Sequence, residues 1–516
     1  MKNSRTQNAT RNILFASALK MYQILVPFII RTVMIHFMGV QYLGLNSLFV
    51  SVLQVLSLAE LGVGSAMIYS MYKPIAEKDT VTICALMRLY RKYYRIIGLV
   101  IAVLGLCVMP FLSKIIKSDV PEGINIYILY LMNLGAVVLS YWLFAYKNSL
   151  IYAHQRSDIT SKITMIINTA QYAIQIAAII IFKDYYLYLI ISLICTAILN
   201  IFTAIQSNKM YPQYKPAGKL PKEKVAEINK RVRDLFTSKI GMVIVNSVDT
   251  IVISAFLGLT MLAIYQNYYY ILTSVMGFVI IIFNSCTAGI GNSIITETKE
   301  KNFNDLKKFT LIIAWIAGFC SCSLLCLYQP FMKLWVGEKL QLDFSVVICL
   351  CIYFFVYEIN TLFTTYKDAA GIWHEDRFRP FFTAITNLLL NLIMVNFFGI
   401  YGVILSTVIS TVIIGIPWLL HNLFTLLFDT KYLWGYLCKI VMYFLVTVIA
   451  SAITYFLCSL INLSDFLTLI IRGIVCLIVP NILFFIVYFR SDEFKQCVIL
   501  FNRLTKGKLH LENIIK

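Results

Sequence analysis

The sequence predicts an all-α polytopic membrane protein with about 14 transmembrane helices, two pseudo-symmetric six-helix lobes and two C-terminal helices. Three observations carry this. Sixty per cent of the 516 residues are apolar, 13% are charged, and the mean hydropathy is +0.79. Apolar stretches long enough to cross a bilayer recur along almost the whole chain, and basic residues gather in alternate loops. An average soluble domain carries roughly 25% charged residues, so lipid must be the solvent for most of this chain.

A membrane helix takes about 20 mainly apolar residues, because each backbone N–H and C=O must be satisfied within its own segment where water is absent. Such stretches lie at 13–37, 43–69, 96–116, 125–150, 160–182, 186–206 and 235–257, then at 263–295, 309–329, 344–366, 380–398, 400–425, 438–460 and 466–489. The first eleven residues are polar and basic (Lys2, Arg5, Arg11), and the apolar run after them is too long and too interrupted for a cleaved signal peptide. The first helix is therefore expected to be retained.

The net charge of +19 would suit nucleic acid if it were gathered on one face, but its distribution follows membrane orientation. Of 44 Lys and Arg, 34 lie in the N-terminus, 71–95, 152–162, 206–233, 297–308, 367–379, 431–439 and the C-terminal tail. The opposite loops hold five: Lys114, Lys117, Lys183, Lys333 and Lys339. Both termini are expected in the cytoplasm, and no nucleic-acid partner is expected. Most of the 13 cysteines sit inside apolar stretches, where small apolar packing is the expected role. No zinc or redox spacing occurs, and no metal or cofactor is expected; Cys320, Cys322 and Cys326 share one helix without His or carboxylate neighbours.

Internal similarity appears at a spacing near 220 residues. Tyr146-Lys147-Asn148, with His154 eight residues after the tyrosine, matches Tyr366-Lys367-Asp368 with His374 at the same distance. Ile167-Asn168 and Thr386-Asn387 follow in step, Lys20 and Arg31 match Lys239 and Asp249, and Gly62/Gly64 match Gly289/Gly291. Matches in the same chain order, at the same places in their helices, point to a duplicated unit. The expected division is a first lobe at 1–206, a basic cytoplasmic linker at 207–234, a second lobe at 235–425, helices 13 and 14 within 426–489, and a basic cytoplasmic tail at 490–516. Each lobe has an even number of helices, so the repeats are parallel about an axis along the membrane normal.

Charged side chains within the apolar stretches are the candidate functional groups, since each costs about 2.5–3.5 kcal/mol at the bilayer centre on insertion scales and usually faces a cavity. Lys20 lies roughly 12 Å into helix 1, too deep to snorkel easily. Arg31, eleven residues later, shares its face, the alternative being an interfacial anchor. Lys239 is close enough to its helix end to snorkel, whereas Asp249 lies mid-helix. Asp249 is expected to bind a coupling cation or proton, or to pair with Arg31 or Lys239. Glu60 and Glu358 carry the same two readings. The Lys147/His154 and Lys367/His374 pairs read as repeated structural turns, and 207–234, with eight basic residues, as a cap beside anionic lipid.

The run Arg31-Thr32, Gly39-Val40-Gln41-Tyr42-Leu43-Gly44-Leu45, Leu58-Ala59-Glu60-Leu61-Gly62-Val63-Gly64-Ser65-Ala66 and Tyr72-Lys73-Pro74 resembles the opening of bacterial polysaccharide flippases of the Wzx type. These belong to the multidrug/oligosaccharidyl-lipid/polysaccharide exporter superfamily. Trp335-Val336-Gly337 and Gly399-Ile400-Tyr401-Gly402-Val403 also look like that family, so the likeness covers most of the first twelve helices. The resemblance implies two lobes facing a central cavity that opens alternately to each side of a bacterial cytoplasmic membrane. Its implied cargo is an undecaprenyl-pyrophosphate-linked oligosaccharide, carried outward for capsule, O-antigen or exopolysaccharide assembly. Membrane lipids, H+ or Na+ as coupling ion, and a polysaccharide polymerase are the further partners in view.

That cargo needs cations for its pyrophosphate, for which Arg offers a bidentate grip and Lys a point charge. It needs hydroxyl, amide and aromatic groups for its sugars. Lys20, Arg31 and Lys239 supply the first; Tyr22, Gln23, Asn46, Asn246 and Gln266 supply the second, with Gln54, Tyr141, Trp142, Asn267 and Asn284 nearby. A cation-coupled multidrug exporter or a peptidoglycan-precursor flippase of the same superfamily is the alternative. A drug-cation exporter would be expected to carry an acidic first helix, and this one is basic. A membrane-embedded polymerase or glycosyltransferase should show large outer loops, which are absent here. No nucleophile elbow, phosphate loop or metal-ligand spacing points to an enzyme.

Overall fold

The computed structural model describes residues 5–60, 62–117, 120–461 and 463–504. All elements are helical, with no strand among the described residues. The chain divides into two compact units, Met1–Ala263 and Ile264–Lys516.

The first unit holds α1 (Arg5–Phe37), α2 (Val40–Leu56), α3 (Val63–Glu77), α4 (Thr80–Val108), the short α5 (Leu112–Ile115), α6 (Ile126–Trp142), α7 (Tyr146–Ala153), α8 (Ser157–Phe182), α9 (Tyr185–Met210) and α10 (Lys222–Leu257). Within it α1 packs on α8, α8 on α9, α6 on α4 and α9, and α10 on α2 and α3. Helix starts are set by short acceptors that take up otherwise orphaned backbone N–H groups. The Asp79 carboxylate accepts from Thr82 N at 3.0 Å before α4, and Asn125 and Asp184 do the same before α6 and α9. Gly39, between α1 and α2, has φ 117°, and Gly258, after α10 and 219 residues later, has φ 91°. The same left-handed turn thus recurs at the spacing of the sequence repeat.

α11 (Leu259–Thr296) starts at the edge of the first unit, and the second continues with α12 (Lys299–Val336), α13 (Phe344–Ala369), α14 (Arg379–Phe398), α15 (Ile400–Ser410), α16 (Ile416–Leu426), α17 (Leu433–Ser459), α18 (Asp465–Tyr488) and α19 (Asp492–Leu504). α12 is its centre, packing on α13, α17 and α18, while α14 and α15 form a tight hairpin. A π-helical turn at Thr411–Gly415 joins α15 to α16.

Among the described residues, eleven helices are long and apolar enough to cross a membrane, or twelve when the bent pair α6 and α7 counts as one span. Two shorter apolar helices, Val40–Leu56 and Val243–Leu257, occupy the places of the second and seventh expected spans. Length and composition alone therefore give fewer spans than the expected 14. Large apolar side chains such as Ile181, Phe397 and Leu477 stand exposed on helix faces, as lipid-facing residues do.

At the α14–α15 hairpin a Cβ on residue 402 would collide with the Met394 carbonyl, an atom of the facing backbone that no rotamer change can move aside. Gly402→Ala is expected to cost about 1–3 kcal/mol. The check is the thermal midpoint of the detergent-solubilised chain. A midpoint equal to that of the parent would contradict the close approach.

Candidate functional site

Two broken helices meet inside the first unit. α2 stops at Leu56, a single 3-10 turn runs through Ser57–Glu60, and Gly62 at φ 88° redirects the chain into α3. α6 and α7 meet at a bend of 53°, with Phe144 held at φ 59°. Unwound backbone at membrane depth is tolerated only where it is buried in protein or lines a cavity. A cavity of about 310 Å3 lies here, lined by Glu60, Ser65, Tyr90, Tyr94, Asn148 and Asn200 among others. That is room for roughly ten waters at liquid density.

Among the described residues, the Glu60 carboxylate is the only acidic group lining this cavity. The Tyr94 hydroxyl donates to Glu60 Oε1 at 3.0 Å and accepts from the Tyr90 hydroxyl at 2.7 Å. Tyr90 and Tyr94 are four residues apart on α4, hence on one face, and their rings lie 4.4 Å apart. Tyr141 meets Tyr94 edge-on at 5.4 Å. The space beside residue 64 is tight: a Cβ there would sit 3.1 Å from Glu60 Oε1 and 3.2 Å from the Tyr90 hydroxyl. A carboxylate backed by a chain of phenols and opening on a polar cavity can take up a cation or a proton, with hydroxyl and amide oxygens as neutral partners.

The other predicted residues are dispersed. Lys20 and Gln23 are exposed on α1, and Tyr22 accepts a hydrogen bond from the Thr169 hydroxyl at 3.0 Å and lies near Tyr172. Arg31 is half-buried, close enough to Tyr188 of α9 for its charge to act there. Beside it, Gln175 is fully buried and donates to the Tyr188 carbonyl at 3.0 Å, so α1, α8 and α9 share an aromatic and amide-rich region. Asn46, Asp249 and Gln266 are half-buried. The side chains of Lys239 and Asn246 lie outside the described residues.

In the second unit Glu358 is 1% exposed and its Oε1 has no hydrogen-bond partner. Asn387, Asn391, Ser406 and Thr407 form a buried network: Asn387 Nδ2 donates to Thr407 Oγ1 at 2.9 Å, and Ser406 Oγ donates to Asn391 Oδ1 at 2.8 Å.

The lysines of the two repeated Lys/His motifs are both buried, and the second joins an ion cluster. Lys147 and Lys367 are each 8% exposed; Lys147 binds the Asn208 side chain, and Lys367 pairs with Asp368 at 2.5 Å and Asp376 at 3.6 Å. Arg379 grips Asp376 with two hydrogen bonds of 2.6 and 2.9 Å, and Arg156 grips the buried Asp158 with two of 3.0 and 3.3 Å. Asp158 and Asp376 are 218 residues apart, the spacing already seen between Arg31 and Asp249. Sequence reading missed this pair because the arginine precedes the carboxylate in one copy and follows it in the other. His154 stacks on Tyr211 at 4.1 Å, and burial holds its pKa below the ordinary histidine value.

No protein-family model matches the chain, and no curated protein matches it in sequence. Solved structures do. The lipid II flippase MurJ in an inward closed conformation aligns with a TM-score of 0.67 at 17% identity, covering 92% of this chain and 99% of that one. An inward-facing multidrug resistance MATE family transporter of the MOP superfamily gives 0.58 at 15%, covering 80% and 97%. A mutant of the Vibrio cholerae MATE transporter VcmN gives 0.55 at 14%, covering 82% and 97%. At these identities the likeness shows the fold alone: the chain is folded like these three structures.

Proposed function

We propose that this chain is a flippase that moves undecaprenyl-pyrophosphate-linked oligosaccharides from the cytoplasmic to the outer leaflet of a bacterial membrane, by alternating access of two six-helix lobes. The observation that carries the reading is a transporter fold shared over 92% of the chain with a lipid-linked precursor flippase, combined with a first helix that is cationic. α1 holds Lys20 and Arg31 and no carboxylate, which suits an anionic head group and not a cationic drug. The Wzx-type sequence run supplies the choice of glycan cargo. In this reading the basic loops face the cytoplasm and both termini lie on that side, as the positive-inside tendency supports, with 1–206 and 235–425 as the lobes.

In this reading Arg31 and Lys20 attract the pyrophosphate, while Tyr22, Gln23, Asn46, Asn246 and Gln266 offer hydroxyl and amide partners to sugars. Lys239 adds charge in the second lobe. Glu60 takes up the coupling H+ or Na+, with Asp249 and Glu358 as further acidic groups, and the polyprenyl tail stays in lipid. A polysaccharide polymerase would receive the product. The similarity to MurJ favours one second reading, flipping of a peptidoglycan precursor, which presents the same pyrophosphate to the same cations.

Binding to the full chain in detergent, followed by native mass spectrometry with an undecaprenyl-pyrophosphate oligosaccharide, tests the assignment. Arg31→Ala is expected to weaken binding about tenfold or more, as loss of a charge-assisted hydrogen bond worth about 1.5–3 kcal/mol requires. Lys20→Ala should have a smaller effect, and a lipid carrying one phosphate should bind more weakly than the pyrophosphate. Equal binding by the parent and both variants would sink the cationic first-helix argument.

A further inference from the structure

Three cysteines far apart in sequence converge in the second unit. Cys326 of α12, Cys458 at the end of α17 and Cys476 of α18 are all buried, and their sulfur atoms lie within 4.8 Å of one another. Each comes from a different helix, so no spacing rule could reveal the group. Leu327, Tyr455 and Val475 enclose it in an apolar sheath. One cation stands beside it: Arg472, one turn before Cys476 on α18, acts electrostatically on Cys458, and its buried Nε has no hydrogen-bond partner. The residue is half-buried and its Nη2 donates to the Ile461 carbonyl at 3.5 Å, so a cation partly withdrawn from water, with one donor unmet, favours negative charge placed near it.

We propose that Cys326, Cys458 and Cys476 form a binding site for a soft monovalent metal ion, Cu(I), which pins the two terminal membrane helices α17 and α18 to α12. Thiolate sulfur selects soft ions. Zinc in structural sites is almost always four-coordinate, and among the described residues the cluster offers three ligands with no His or carboxylate beside them. An ion about 2.3 Å from each of three sulfurs in a plane requires sulfur separations of about 4.0 Å, a spacing the 4.8 Å bound accommodates with a small contraction. The charges close as well. Two thiols release their protons to solvent as Cu(I) enters, and the third remains a neutral sulfur donor. Copper and two thiolates carry one negative charge, which Arg472 cancels, and no electron is transferred.

The test uses the full chain in detergent with Cu(I) held reduced by ascorbate, challenged with a bathocuproine chelator and desalted before copper is counted by mass spectrometry. The parent is expected to retain one equivalent, and Cys326→Ala, Cys458→Ala and Cys476→Ala each to lower retention at least tenfold. The exposed cysteines serve as controls, so Cys107→Ala and Cys438→Ala should retain the full equivalent. Copper should raise the thermal midpoint of the parent and leave those of the three variants in place, and X-ray absorption should show sulfur-only ligation. Because the three substitutions are independent, a variant that fails to fold leaves the other two to decide. Negligible retention by the parent, retention unchanged in the variants, or retention of Zn2+ in place of Cu(I) would overturn the proposal.

Discussion

Replacing Glu60 with alanine is expected to reduce ion-driven transport by about ten- to a hundredfold while leaving the chain folded. The reasoning starts from geometry: Glu60 Oε1 ends the hydrogen-bonded chain Tyr90–Tyr94–Glu60 and faces a cavity of about 310 Å3. A charge-assisted bond of this kind is worth about 1.5–3 kcal/mol, which corresponds to that range of rate or affinity. Glu60→Gln separates two roles. Glutamine still accepts from Tyr94 but holds neither a proton nor a cation, so it should behave like alanine if Glu60 couples transport and like the parent if it only positions Tyr94. Gly64→Leu should mimic the alanine variant by filling the space beside Oε1. Transport by Glu60→Ala equal to the parent, with and without an imposed ion gradient, would remove the cavity from the mechanism.

Asp376→Ala is expected to be the most destabilising of the single changes considered. Asp376 is 3% exposed and shares its two oxygens between Arg379, at 2.6 and 2.9 Å, and Lys367, at 3.6 Å. Its removal strands a buried guanidinium, and breaking a buried pair from one side costs about 3–5 kcal/mol. Lys367 keeps Asp368, so the cost falls mainly on Arg379. Thermal unfolding of the purified chain checks this, and the double variant Asp376→Ala/Arg379→Ala should recover part of the loss because no unpaired charge remains. A single variant as stable as the parent would show that the pair is solvated.

The long apolar stretches were legible because a membrane span must satisfy its own backbone within about 20 residues. Their ends were not. The expected span at 96–116 became α4 from Thr80, and 235–257 became the last part of α10 from Lys222. Hydropathy marks the portion in lipid, whereas helical hydrogen bonding continues through the basic segments on either side. The expected single helix over 43–69 breaks at Ser57–Gly62, where Glu60 and Gly62 were visible as a charge and a packing residue but not as a turn. Tyr90 and Tyr94, which complete the cavity, fell outside any apolar window, so nothing in sequence joined them to Glu60. The cysteine group was hidden for a related reason: Cys326, Cys458 and Cys476 meet only because α17 and α18 pack on α12.

The most direct measurement is transbilayer movement in vesicles that contain the purified chain and a fluorescent undecaprenyl-pyrophosphate oligosaccharide, read by accessibility to an external glycosidase or quencher. Movement well above protein-free vesicles, diminished by Arg31→Ala and by Glu60→Gln under an ion gradient, is the predicted result. A rate equal to that of protein-free vesicles, or movement of a cationic dye in place of the lipid-linked sugar, would contradict it.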